Sequence, residues 1–153
     1  MGWVLPHFQD ISGLQLALFM VLGLVMGSFL NVLIYRLPLM ILSAHHDEAP
    51  QLNLSTPRSH CPHCLHPLAW YELLPVVSFA MARGRCRHCG QHISWRYPLV
   101  EIATAALFAL CLWQFGFTGQ ALMACFFVAT LLALTWIDAE TFLLPDVLTQ
   151  ALL

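Results

Sequence analysis

The chain has 153 residues, 59% of them hydrophobic and 9% charged, with a formal net charge of -2 and a mean hydropathy of +0.74. A soluble domain carries about 25% charged residues, so this composition excludes an ordinary water-soluble globular protein and points to a membrane protein. The net charge itself argues neither for nor against nucleic acid, and no nucleic-acid partner is expected.

The N-terminal residues 1–12 contain no Lys or Arg. Residues 13–35 follow, 23 in a row without a charge. At about 1.5 Å rise per residue that run can cross a hydrocarbon layer of roughly 30 Å. No basic n-region precedes it, it is too long for a signal h-region, and no small-residue cleavage site follows, so it reads as a retained transmembrane helix. Within it Gly23 and Gly27 form a GxxxG, a spacing that lets helices approach closely. Ser28 and Asn31, three residues apart, share one face and read as packing polarity or the lining of a wet interior.

Residues 36–96 form a polar loop. The chain has no lysine, and all six arginines (Arg36, Arg58, Arg83, Arg85, Arg87 and Arg96) fall in this loop. A second apolar segment spans residues 97–115 with one charge, Glu101. "GFTG", residues 116–119, reads as a tight turn, and residues 120–137 form a third uncharged segment. The expected fold class is an all-α polytopic membrane protein: three transmembrane helices with a small zinc-knuckle insertion. Because basic residues concentrate in cytoplasmic loops, the loop 36–96 and residues 138–153 are expected in the cytoplasm. The N-terminus and the 116–119 turn are expected outside.

Two CxxC turns, Cys61-Pro-His-Cys64 and Cys86-Arg-His-Cys89, are separated by 21 residues. Each turn presents two thiolates, and four together suit tetrahedral zinc. The spacer slightly exceeds the usual range of about 15–20. In a reducing cytoplasm disulfides rarely persist, so the loop reads as a structural zinc site with no open position for catalysis. His63, His66, His88 and His92 surround the turns as exposed loop residues, with His63 or His88 able to replace a cysteine as ligand. Cys111 and Cys125, inside helices and without a partner at metal spacing, read as small packing residues.

The stretch "WIDAETFLLPD", residues 136–146, brings Asp138 and Asp146 to the end of the third segment. A carboxylate dyad needs the pair about 3 Å apart. Eight residues of continuous helix would separate them by about 12 Å, and Pro145 argues against a continuous helix. "LPDVLT" reads better as the start of a fourth helix, with Asp146 suited to its N-terminal dipole. Any acidic partner of Asp138 then comes from elsewhere.

Five blocks in order, "GSFLNVLIYRLP", "LNLSTPRSHCPHC", "HPLAWYELLPVVSF", "RGRCRHCGQHISWRYPLVE" and "WIDAETFLLPDVLT", resemble the prepilin leader peptidases of type IV pilus and type II secretion systems. The resemblance implies a bifunctional bacterial inner-membrane enzyme. It cleaves the basic leader of prepilins and pseudopilins, then N-methylates the new terminus with S-adenosylmethionine. Asp138 matches the first of the family's two catalytic aspartates. Cys61, Cys64, Cys86 and Cys89 match its tetracysteine zinc site. Glu101 matches an accessory glutamate of the methyltransferase region, and Asp146 is kept as a second accessory candidate. Leu65 departs from the family, which has glycine after the first CPxC; Gly90 fills the equivalent place in the second turn. The family's second aspartate sits in a Gly-x-Gly-Asp motif that these 153 residues lack. The chain as given is therefore expected to be incomplete, or inactive as a peptidase by itself. The alternative is a non-catalytic, membrane-anchored zinc module that binds prepilins or assembly partners.

Overall fold

The computed structural model describes residues 11–43, 53, 56, 58–142 and 149–150. Helix α1 (Gly13–Ser43) opens on a reciprocal capping box: the Gln15 N–H donates to Ser12 Oγ at 3.2 Å, and the Ser12 N–H donates to Gln15 Oε1 at 3.0 Å. The helix continues past Tyr35 and through Pro38. Pro38 removes one backbone hydrogen bond, and the helix tolerates the loss. At 31 residues α1 is about 46 Å long, more than a hydrocarbon layer needs.

After α1 come a single 3-10 turn (Trp70–Leu73) and a short helix α2 (Val77–Met81). Helix α3 (Arg96–Phe115) carries Pro98 in its first turn, where a missing N–H costs nothing. It stops at Gly116, whose φ of 64° few other residues accept and whose N–H caps the Leu112 carbonyl at 2.8 Å. Helix α4 (Gly119–Thr141) starts on Thr118, whose Oγ1 accepts from the Ala121 N–H at 3.4 Å. The GFTG stretch is thus a helical hairpin turn. Helix α4 runs on through Asp138, which lies inside its last turn; Phe142 closes it with φ 53° and an N–H bonded to the Asp138 carbonyl at 2.9 Å.

Among the described residues there are no strands, and α1, α3 and α4 are long and apolar enough to cross a membrane. They form one bundle, with α1 packed chiefly on α3. The register is set by glycine. A Cβ on Gly23 would meet Ala105 Cα at 2.5 Å, and one on Gly27 would meet Glu101 Cα at 2.6 Å. The GxxxG therefore brings the two backbones together, as its spacing predicts. One turn further on, Asn31 Nδ2 donates to the Tyr97 carbonyl at 3.0 Å. Each step of four up α1 meets a step of four down α3, so the pair is antiparallel.

Helix α4 offers the bundle a stripe of small residues, Ala121, Cys125, Ala129 and Ala133, ending in the fully buried Ile137. These close on Phe19, Leu30, Ile34, Val100, Phe108 and Leu112. Side chains pointing the other way, such as Val21, Val25, Phe126 and Leu131, are exposed, as a lipid-facing surface requires.

Candidate functional site

Two turns of closely similar design build the metal-competent cluster. In the first, the Leu65 N–H bonds the Cys61 carbonyl at 2.9 Å and the Cys61 N–H bonds the His66 carbonyl at 3.0 Å. In the second, the Gly90 N–H bonds the Cys86 carbonyl at 2.9 Å and the Cys86 N–H bonds the Gln91 carbonyl at 2.8 Å. An antiparallel bridge flanks each turn, His60 with Pro67 and Arg85 with His92. Each chain reverses at the residue after the second cysteine, with φ 58° at Leu65 and 73° at Gly90. The glycine position that Leu65 occupies is therefore a left-handed one, and leucine holds it against steric cost.

The two turns face each other, and the sulfurs of Cys61, Cys64, Cys86 and Cys89 all lie within 4.8 Å of one another. Cys61 and Cys86 are buried; Cys64 and Cys89 reach the surface. Backbone N–H groups of Cys89 and His88 pull the Cys86 thiol down to about 6. At Cys89 the Gln91 N–H pulls down as well, but burial and the neighbouring thiols of Cys86, Cys64 and Cys61 outweigh it and lift that thiol to about 11. Cys86 is thus the readier of these two thiols to ionise, and a bound cation would favour the thiolate form of all its ligands. Among the described residues no histidine joins the cluster. His66 and His88, one from each turn, stack on each other with ring centroids 3.5 Å apart, which ties the two turns together beside the sulfurs.

The carboxylates lie at the same end of the bundle but in different settings. Glu101 is buried at the α1–α3 contact. Its Oε2 accepts the Val76 N–H at 2.7 Å, and its side chain also bonds Ser28. Glu101 therefore fastens the chain between the two turns onto the helices. The same Ser28 hydroxyl lies 3.5 Å from the Leu73 carbonyl, so its one proton is shared between the two acceptors. Asn31, beside them, is buried with Oδ1 unpartnered among the described residues. Asp138 is exposed on α4, and its carboxylate makes no hydrogen bond or ion pair with a described residue. Its neighbour Glu140 instead pairs with Arg96, whose Nη1 donates to Oε1 at 2.8 Å. Asp146 lies outside the described residues.

Two links had no sequence signal. The buried Arg36 donates Nη1 to the Asn53 carbonyl at 2.8 Å, tying the loop to α1. Cys111 and Cys125, which the sequence reading treats as separate packing residues, lie near each other in the buried core between α3 and α4. Only the hairpin register could have paired them.

The family model for the bacterial peptidase A24 N-terminal domain matches residues 21–115. A prepilin leader peptidase/N-methyltransferase of Burkholderia pseudomallei is 48% identical over 93% of this chain and 50% of its own length. One from Neisseria gonorrhoeae is 40% identical over 94% of the chain and 54% of its own length. A type 4 prepilin-like proteins leader peptide-processing enzyme of Escherichia coli is 41% identical over 95% of the chain and 57% of its own length. The chain thus spans about half the length of the curated relatives it matches. No solved structure matches it. On these similarities, with the bundle and the tetracysteine cluster beneath them, the chain belongs to the bacterial peptidase A24 family, the family of the prepilin leader peptidases.

Proposed function

We propose that this chain supplies the zinc knuckle and the first catalytic aspartate, Asp138, of an inner-membrane enzyme that removes the leader from prepilins and then methylates the new N-terminus. The observation that carries the reading is the similarity to prepilin leader peptidase/N-methyltransferases across nearly the whole chain. The zinc is structural. Four sulfurs within 4.8 Å suit a closed tetrahedral site, which leaves no position for substrate or water.

Peptide hydrolysis by carboxylates needs one group as base toward water and one protonated partner. Asp138 has the setting of such a group. It is an exposed carboxylate in the last turn of α4. Its neighbour Glu140 pairs with Arg96, whereas the Asp138 carboxylate makes no ion pair with a described residue. Glu101 does not serve as its partner on this reading, because it is buried and bonded to Val76 and Ser28. The second aspartate comes instead from a Gly-x-Gly-Asp segment, absent from these 153 residues. For methyl transfer the donor is S-adenosylmethionine. The described residues show no glycine-rich cradle for it, and no residue is assigned to that step. A binding-only zinc module would have no use for the unpaired carboxylate of Asp138.

The test is leader cleavage in detergent or vesicles. The 153-residue chain alone is expected to leave a prepilin uncut. Co-expression with a relative's segment bearing Gly-x-Gly-Asp restores cleavage, and Asp138→Asn abolishes it. Normal turnover by the chain alone, or cleavage surviving Asp138→Asn, overturns the reading.

A further inference from the structure

We propose that residues 70–81 form an interfacial segment seated in the headgroup–acyl boundary of an anionic phospholipid bilayer, at the knuckle end of the bundle. The inference rests on the bundle and the loop geometry and does not depend on the peptidase reading.

The stretch "WYELLPVVSFAM" has one charge in 12 residues, Glu72, and that carboxylate is turned back onto the Ala69 N–H at 2.9 Å. An apolar run of about 10–14 residues is too short to span a bilayer and suits an interfacial or re-entrant segment. The 3-10 turn and α2 that it forms bury none of their residues. Trp70 is 74% exposed, Met81 68% and Val77 52%, and Leu73 and Leu74 are exposed beside them. In water such a contiguous apolar surface is unfavourable; against acyl chains it is not.

Depth is fixed by hydrogen bonds. The Val76 N–H is held by Glu101, five residues inside the start of α3, or about 7.5 Å along the helix axis from Arg96. Interfacial segments bury their apolar face about 5–10 Å into the boundary, so the two depths agree. Leu73 and Pro75 form an open groove with Val25, Phe29 and Val32 of α1, a mostly apolar slot, with Ser28 and Ser59 as its polar members, that suits an acyl chain. Helix α1, level with the start of α3 at Asn31, continues past the segment into the polar region.

The flanks name the lipid class. Arg58, Arg83, Arg85 and Arg87 are exposed around the segment, and Arg87 lies over the Tyr71 ring at 5.7 Å. Trp95, 75% exposed and 4.9 Å from Phe79, stands at the foot of α3. Trp and Tyr favour the headgroup level, and arginines favour anionic headgroups.

The test uses the zinc-loaded full chain in nanodiscs of phosphatidylcholine, with and without phosphatidylglycerol. A phospholipid carrying a diazirine in its acyl chain is photolysed, and labelled peptides are mapped by mass spectrometry. Residues 70–81 are expected to label as strongly as the outer face of α3 at Leu99 and Ile102, and far more than the Cys61–Cys64 turn. Labelling rises when phosphatidylglycerol is present. Labelling of 70–81 no higher than that of the Cys61–Cys64 turn overturns the proposal, whether water or a protein surface covers the segment. Equal labelling in the two lipid mixtures overturns its anionic part.

Discussion

Gly27 and Glu101 meet backbone to backbone: a Cβ on Gly27 would stand 2.6 Å from the Glu101 Cα, with Thr104 Oγ1 at 3.1 Å. The missing side chain on α1 lets α3 come close enough for Glu101 to reach both Ser28 and the Val76 N–H. One absent methyl group thus links helix packing to the anchoring of the loop.

Gly27→Leu is therefore expected to separate α1 from α3 and to destabilise the bundle by about 1–3 kcal/mol, the usual range for overpacking. Gly13→Leu, at a site with nothing within 4 Å, is the control. Thermal unfolding in detergent, followed by size-exclusion fluorescence, checks it. Equal melting temperatures for the two variants would contradict the close approach.

Leu65→Gly should strengthen the first knuckle. Its φ of 58° costs a leucine about 1–2 kcal/mol, partly offset by the greater chain entropy of glycine. The expected outcome is slower loss of zinc to a chelator. Gly90→Leu, at φ 73°, should change the rate in the opposite direction. Faster loss from Leu65→Gly would show that the leucine side chain has a favourable contact of its own.

Zinc content should depend on pH with a definite sign. Metal binding displaces protons from the thiols, so affinity rises with pH. Cys86, held down to about 6, gives up its proton more readily than Cys89, lifted to about 11. The site should hold one zinc at neutral pH and release it as acid protonates the thiolates. Cys86→Ser should lose it even at neutral pH. Metal analysis after equilibrium dialysis checks both; a Cys86→Ser variant with unchanged zinc would remove the four-sulfur assignment.

The α3–α4 register has its own test. Arg96 pairs with Glu140 at one end, and fifteen residues along each helix Cys111 lies near Cys125. Mild oxidation with copper phenanthroline, which accepts the two electrons released as the S–S bond forms and two protons leave, should join these two thiols within one chain. Peptide mapping should find the Cys111–Cys125 link, and Cys125→Ala should abolish it. Crosslinking only between chains would contradict the register.

Much of this protein is legible in its linear sequence because the signals are local. Uncharged runs long enough for a bilayer mark the helices, the paired CxxC turns mark the metal cluster, and GxxxG marks a close contact. The capping box of Ser12 and Gln15 was equally readable from "SGLQ". Helix ends were less so. Pro38 does not stop α1, and Asp138 lies within α4, because hydrogen bonding along a helix need not stop where apolar composition stops.

The sequence by itself determined the class of the protein, the family it belongs to and the residues that can hold a metal. Those properties depend on composition and short spacings, which need no partner in space. Only the tertiary structure decided which polar residues meet. It placed Glu101 under Val76 and Ser28, paired Arg96 with Glu140 and left Asp138 exposed, and stacked His66 on His88. Such pairings depend on the register between helices and loops far apart in the chain. That register is set by backbone contact at Gly23 and Gly27 and by the stripe of small residues on α4, not by any local pattern around the residues that meet.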